Sequence, residues 1–180
     1  MGIALIKQFH VLLKESKHMP ESSKPTKSLI ITRIFNASPK EVWAAWSKPA
    51  LLKQWWGPKH FTAPTCKMDF TPGGKFLWCM RDKDGDDYWN TGLYKQIVPE
   101  KKLVYTDSFS DAKGKVVPAS YYKMPGKWGI ESLVTITFED QDGQTKMTLQ
   151  HDGLPGGIMS QMTKIGWNQS FDKLTDSLKQ

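Results

Sequence analysis

Arginine is nearly absent from this 180-residue chain, because only Arg33 and Arg81 among its 25 basic residues are arginines. Proteins that recognise nucleic acids favour arginine, whose guanidinium forms paired hydrogen bonds with bases and phosphates. The lysines are scattered and form no block of five or six. We therefore interpret the net charge of +7 as a charge that favours solubility, and we expect no nucleic-acid partner.

Long apolar runs and a clear secretory signal are also missing. No stretch of eighteen apolar residues occurs, so we expect no stable membrane insertion. Lys7 interrupts the first apolar run and no small-residue cleavage site follows it, which favours a cytoplasmic protein with free thiols. The two cysteines, Cys66 and Cys79, fall on consecutive predicted strands. A simple tight hairpin would place them opposite each other, which leaves a cross-strand disulfide open.

Motifs of catalysis and of metal binding are lacking as well. None of the four histidines is spaced with cysteines or carboxylates as metal ligands usually are. The acidic turn at 82–87 has Gly85 at its fourth position, whereas a calcium loop needs glycine at the sixth. No Gly-x-Ser-x-Gly sequence occurs. We therefore expect no metal and no cofactor, and the pattern favours a binding domain over an enzyme.

The chain divides into an extension and a domain. Residues 1–27 are predicted to form an N-terminal extension and linker, either a docking helix or a partly disordered segment. The domain is predicted over 28–180 and opens with a β-branched strand. Ser38, Pro39 and Glu41 then supply the N-cap, the first-turn proline and the capping-box glutamate of a helix. A second short helix follows directly.

Six further strands and a long terminal helix complete the predicted domain. The order β-α-α-β-β-β-β-β-β-α predicts an α+β fold with one antiparallel sheet of about seven strands. The terminal helix has a broad apolar face that must cover one face of the sheet. The residues predicted to form that helical face are Ile158, Met162, Ile165, Trp167, Phe171, Leu174 and Leu178.

The strands supply the opposing face through side chains of period two. The residues predicted to point toward the helix are Phe76, Trp78 and Met80, then Leu103, Tyr105, Asp107 and Phe109, then Val134, Ile136 and Phe138, and finally Met147, Leu149 and His151.

A cavity is predicted between the sheet and the terminal helix, because one straight helix cannot completely fill a strongly curved sheet. The alternative is an ordinary core in which tryptophan and phenylalanine rings fill the space. Asn90, Asp107 and His151 among apolar neighbours favour a pocket, and these three would orient the polar end of a small hydrophobic molecule. The predicted ligand-binding residues are Trp78, Asn90, Tyr94, Tyr105, Asp107, Phe109, Tyr122, His151, Met162, Trp167 and Phe171.

The loop at 110–129 is predicted to act as a lid, since it is too long for a structureless connection in a compact domain. Its apolar side chains would touch the ligand if it closes the pocket mouth. The alternative is a loop that packs on the sheet edge. The side chains concerned are Tyr121, Tyr122, Met124 and Trp128.

Several blocks of the sequence resemble those of one family. "ITRIFNASPKEVWAAWSKPALLKQWWGP" is similar to its opening strand and two helices, and "MDFTPGGKFLWCMRDKDGDDYWNTGLYKQIVPEKKLVYT" to its central hairpins. "TLQHDGLP" and "GWNQSFDKL" are similar to its closing strand and terminal helix. On these blocks the chain is identified as a member of the family of activator of Hsp90 ATPase homologues, within the START-like (SRPBCC, polyketide cyclase/dehydrase-like) superfamily. The resemblance covers 28–180 and implies a helix-grip fold, in which a curved antiparallel sheet surrounds the terminal helix.

The resemblance leaves three functions open, because the superfamily includes ligand carriers, enzymes and a cochaperone domain. The leading hypothesis is a domain that binds a small hydrophobic molecule. The first alternative is a stress-related partner of a chaperone, although the second domain of true activators falls outside the match. The second alternative is an enzyme of the cyclase or dehydratase kind that uses Asp107 or His151 as acid and base. Exposed strand edges leave both a monomer and a homodimer open.

Overall fold

The computed structural model describes residues 28–179, which form one antiparallel sheet and three α-helices. The predicted extension at 1–27 lies outside the described residues. The order of the elements is the predicted one, and the helix-grip fold is confirmed. The strands are β1 (Leu29–Phe35), β2 (Thr62–Met68), β3 (Lys75–Arg81), β4 (Asp87–Val98), β5 (Lys102–Ser110), β6 (Ser132–Gln141) and β7 (Gln144–Asp152). The helices are α1 (Pro39–Ser47), α2 (Pro49–Trp55) and α3 (Ile158–Ser177).

The seven strands lie in the order β1-β7-β6-β5-β4-β3-β2. Strands β2 to β6 each pair with the next strand of the chain, whereas β1 pairs with the last strand, β7, as in the pair Ile31 and Leu149. A shift of register separates Tyr94 from Gln96 on β4. Near it, a side chain at Gly92 would come within 1.8 Å of the Thr106 carbonyl oxygen, so this close approach of β4 and β5 requires glycine.

Helix α1 begins where the sequence predicts. The Ser38 side chain accepts from the Glu41 amide at 3.4 Å, and the Glu41 carboxylate accepts from the Ser38 amide at 2.8 Å. This reciprocal capping satisfies helix donors that would otherwise lack partners. Helix α2 is tied to α1 because the Trp55 indole donates to the Ala45 carbonyl at 3.0 Å. None of the helices within 28–179 is long and apolar enough to cross a membrane.

Two basic side chains fix α3 across the concave face of the sheet. Arg33 on β1 donates to Asp172 at 2.8 Å and to the Asn168 side chain at 3.2 Å. Lys173 bonds to the segment that precedes β2, the strand at the opposite edge of the sheet from β1, and burial lowers the pKa of its ammonium to about 8. Its ammonium donates to three main-chain carbonyls, those of Trp56 at 3.4 Å, Gly57 at 3.1 Å and Phe61 at 2.9 Å.

The buried face of α3 differs in part from the predicted one. Trp167, Phe171 and Leu174 are buried as expected, but Ile158 and Ile165 are each 44% exposed. Three small residues and one methionine are buried instead of the isoleucines. Their hydroxyls, where present, bond to the helix's own carbonyls, so their burial leaves no donor unpaired. The additional buried positions are Met159, Thr163, Gly166 and Ser170.

The strand side chains that face α3 follow the predicted alternation. All of the predicted inward residues on β3, β6 and β7 are buried, as are Leu103 and Tyr105 on β5. The period-two pattern therefore identified the concave face of the sheet correctly.

The disulfide that the sequence left open is not formed. Cys66 pairs across the hairpin with Trp78, and Cys79 pairs with Thr65, so the two cysteines are one residue out of register. Because successive side chains on a strand alternate between faces, the two sulfurs lie on opposite faces of the sheet. Both thiols are free and buried.

We predict that neither thiol reacts while the protein is folded. Burial raises the pKa of Cys66 and of Cys79 to about 12, so the reactive thiolate is scarce at pH 7.5. Titration with dithionitrobenzoate should detect almost no thiol in the native protein and both thiols in denaturant. Dithiothreitol should leave Tm unchanged, and a Tm that falls by several degrees in reductant would contradict the assignment.

Candidate functional site

Aromatic rings fill most of the space between the sheet and α3. The centroid of the Trp167 ring lies 5.8 Å from that of Trp56 and 5.5 Å from that of Phe171. Trp56 in turn lies 4.4 Å from Trp78 on β3, and Trp78 stacks on Phe76 at 3.9 Å. Five of the predicted ligand-binding residues are therefore members of a packed core, namely Trp78, Tyr94, Tyr105, Trp167 and Phe171.

The core contains polar atoms of aromatic side chains that have no hydrogen-bond partners among the described residues. They are the indole nitrogens of Trp46, Trp56 and Trp78 and the hydroxyls of Tyr94 and Tyr105. Several of these rings meet edge to face, an arrangement in which an N–H group can interact with a neighbouring π face. Burial raises the pKa of both phenols, which therefore stay protonated.

A small cavity remains beside this core, where β5, β6 and β7 meet the β5–β6 loop (111–131) and the first turns of α3. Its volume is about 20 Å³, which is room for about one water molecule. Three of the predicted residues line it, Asp107, Phe109 and His151. The other residues of the wall include the apolar Trp128, Ile130 and Leu154 and the polar Ser108, Ser132 and Thr163.

A chain of hydrogen bonds crosses the cavity wall. Trp167 Nε1 donates to His151 Nδ1 at 3.2 Å, and His151 Nε2 lies 2.9 Å from Ser132 Oγ. Since the Ser132 hydroxyl donates to the Asp107 main-chain carbonyl at 3.1 Å, His151 Nε2 must carry the proton that bonds to Ser132. His151 is therefore neutral, and both of its ring nitrogens are engaged. Burial lowers the pKa of His151 to about 3, in agreement with this tautomer.

Asp107 is the carboxyl group of the cavity wall. Asn90 Nδ2 donates to Asp107 Oδ1 at 2.7 Å, which places the predicted residue Asn90 directly behind the carboxyl group. Asn90 is buried, and its own Oδ1 has no hydrogen-bond partner among the described residues. Burial raises the pKa of Asp107. None of the ion pairs within 28–179 includes this carboxyl group.

The loop between β5 and β6 borders the cavity and is anchored at its first half. The Tyr122 hydroxyl accepts from the Trp89 amide at 2.9 Å and donates to the Ser110 carbonyl at 2.6 Å. These bonds hold a 3₁₀ turn (Ala119–Tyr122) against the sheet, so Tyr122 anchors the loop and does not line the cavity. Trp128 lies farther along and packs edge to face on Phe109 at 5.3 Å.

Ser132 and Thr163 line the cavity but were not predicted as site residues from the sequence. Ser132 has the inward parity of Val134 and Ile136 on β6, so the alternation could have identified it. Thr163 could not be found in that way, because the predicted helical face passed through Ile165 on the other side. Met162 is buried on α3 but is not part of the wall. Within 28–179, no group of three His, Cys, Asp or Glu side chains is arranged to hold a metal.

Comparison with known proteins identifies relatives of the whole domain. A family model described as "Activator of Hsp90 ATPase homolog 1-like protein" matches residues 36–179. The human protein "Activator of 90 kDa heat shock protein ATPase homolog 1" is 24% identical over 147 residues, which are 82% of this chain and 35% of that protein. The chain thus spans about a third of the length of the curated relatives it matches.

Solved structures of bacterial proteins share the fold. The AHSA1 protein of Silicibacter pomeroyi is 27% identical with a TM-score of 0.70, and the match covers 85% of this chain and 98% of that one. A protein of Arthrobacter aurescens is 26% identical with a TM-score of 0.70, and that match covers 87% of this chain and 91% of the other.

We predict that His151 makes the folded protein sensitive to mild acid. Because its folded pKa of about 3 lies below the ordinary 6.5, its contribution to stability is present above pH 6.5 and is lost as the pH falls toward 3. The free energy of unfolding should fall by about 2 to 3 kcal/mol more in the wild type than in His151→Gln between pH 7 and pH 4.5. Urea unfolding at both pH values measures this difference.

The exposed His60 supplies the matched control. His60→Asn should keep the pH dependence of the wild type. An unchanged pH dependence in His151→Gln would contradict the neutral, buried state of His151.

Proposed function

Since this chain belongs to the family of activator of Hsp90 ATPase homolog 1-like proteins, we propose that it is a helix-grip domain that binds a small hydrophobic molecule. The proposed site is the cavity between β5–β7, the loop at 111–131 and α3. One observation carries the proposal, namely that the wall sets two titratable groups, Asp107 and His151, among aromatic and aliphatic side chains and a few hydroxyl groups. A few fixed polar groups in an apolar pocket are typical of small-molecule sites.

The size of the cavity requires the loop to move when a ligand enters. About 20 Å³ admits only the end of a molecule, so the rest must displace the segment that carries Trp128 and Ile130. That segment is suited to movement, because the residues at 125–127 are exposed and the neighbouring Gly129 is exposed too. The Tyr122 anchor would stay in place and act as the fixed end of the lid.

The hydrogen bonds of His151 support binding over acid–base catalysis. To accept a proton from a substrate, His151 Nδ1 would have to release the Trp167 indole, whose nitrogen would then be buried without a partner. The wall holds Asp107 as its other titratable group, and Asn90 fixes one of its oxygens. A cyclase or dehydratase reaction would need a second free acid or base at this place.

A partner of chaperones is the second candidate function, and two observations favour it. The human relative is by name an activator of a heat-shock protein ATPase, although the match covers 35% of that protein. Ile30 and Ile34 are 57% and 59% exposed on the outer face of the edge strand β1, where a protein partner could cover them. An edge strand of this kind could equally pair with a second copy of the chain in a homodimer.

We predict that filling the cavity weakens ligand binding. Thr163→Leu places a larger side chain in the cavity, at a cost in stability of about 1 to 3 kcal/mol, whereas Thr163→Val keeps the size of the side chain. In a panel of small alcohols and alkylbenzenes, followed by tryptophan fluorescence and native mass spectrometry, the wild type and Thr163→Val should bind and Thr163→Leu should bind at least about tenfold more weakly. Equal binding by all three would place the ligand elsewhere.

We predict in addition that the chain at high concentration leaves the ATPase rate of a heat-shock protein 90 unchanged, as expected of a ligand-binding domain. The measurement is a coupled ATPase assay with the wild type and with Ile30→Lys/Ile34→Lys. Stimulation by the wild type that the double variant loses would instead support the chaperone function.

A further inference from the structure

Resting on the proposed function, we propose that the ligand carries a small ammonium group that pairs with Asp107, and an apolar body that extends along Ile130 toward solvent. The inference names the chemical class of the ligand, an organic amine. It follows from the hydrogen-bond acceptors near the cavity that have no donor, because the side-chain donors of the wall are all engaged.

The side-chain donors around the cavity are already committed. The Ser132 hydroxyl donates to the Asp107 main-chain carbonyl, and His151 Nε2 donates to Ser132. Thr163 Oγ1 donates to the Met159 carbonyl at 2.9 Å, and Trp128 Nε1 donates to the Pro125 carbonyl at 2.8 Å. Ser108 follows Asp107 on β5, so its hydroxyl belongs to the outer face of the sheet. The wall has therefore no spare side-chain donor for a carboxylate or a phosphate.

The acceptors of the wall are in the opposite situation. Asp107 receives one hydrogen bond, from Asn90, which lies behind the wall and whose own Oδ1 receives none from the described residues. No ion pair within 28–179 neutralises Asp107. A carboxylate in an apolar cavity is unfavourable unless a cation and further donors reach it. A ligand with an ammonium group supplies both the charge and the donors.

The remaining walls fit the rest of such a ligand. Phe109 and Trp128 line the cavity, and the face of an aromatic ring attracts an alkylammonium through a cation–π interaction. The volume of about 20 Å³ limits the enclosed part of the ligand to the nitrogen and an adjacent carbon or so. Ile130 is 63% exposed while Leu154 is buried, so the apolar body of the ligand would leave the cavity beside Ile130 once that segment has moved.

Three compounds with one body and different head groups test the inference, namely hexylamine, hexan-1-ol and hexanoate. At pH 7.5 a primary amine is protonated and hexanoate is ionised. Titration calorimetry on the full chain should give a Kd for hexylamine at least about tenfold below that of hexan-1-ol, with hexanoate weakest. Hexyltrimethylammonium should bind more weakly than hexylamine, because its head group exceeds the cavity.

The variant Asp107→Asn should remove the preference of the site for hexylamine over hexan-1-ol. Asp176→Asn, which changes the net charge equally at the exposed end of α3, should keep that preference. The comparison among head groups on the wild type stands even if the Asp107 variant folds poorly. Binding of hexan-1-ol with no preference for hexylamine would overturn the inference and leave the proposed function intact, whereas absence of binding by every compound would overturn both.

Discussion

Trp167 makes the interaction on which the rest of the structure depends. Its ring packs among those of Trp46, Trp56 and Phe171, which joins α3 to the two short helices, while its N–H group bonds to His151 on β7. One side chain therefore satisfies both the apolar packing of the helix and the polar requirement of a buried imidazole. Removing the ring would both open a cavity in the core and leave His151 Nδ1 without a hydrogen-bond donor.

The packing of Trp167 also determines the protonation and hydrogen bonds of the candidate site. Because Trp167 donates to Nδ1, His151 is held neutral and its proton is directed to Ser132, whose own proton goes to the main chain of Asp107. The hydrogen bonds thus run in one direction and consume the donors of the wall. Asp107 is left as the group with unused accepting capacity. The proposed preference for an amine is a consequence of this direction.

The fold alone leaves the function open, since helix-grip domains can carry ligands, react with them or bind partners. What decides whether such a domain has room for a ligand is how completely side chains fill the concave face of its sheet. In this chain tryptophans occupy the depth of the groove, and Arg33 and Lys173 hold α3 in place at either side. The space that remains lies at the margin, under a loop with an anchored half and an exposed half. A ligand bound in the proposed cavity would therefore be small, and its entry would require one segment of the loop to move.

The sequence by itself determined the features of the fold that depend on local interactions. The capping box of Ser38 and Glu41, the order of the elements and the inward alternation of the strands were all predictable, because each depends on residues a few positions apart. Half of the polar site was predictable too, since Asp107 and His151 interrupt an apolar alternation. Only the tertiary structure decided the register that separates Cys66 from Cys79, the rotation of α3 that exposes Ile165 and buries Thr163, and the filling of the groove by rings. These depend on side chains distant in the chain meeting at fixed separations, and a pattern of spacings holds no information about such distances.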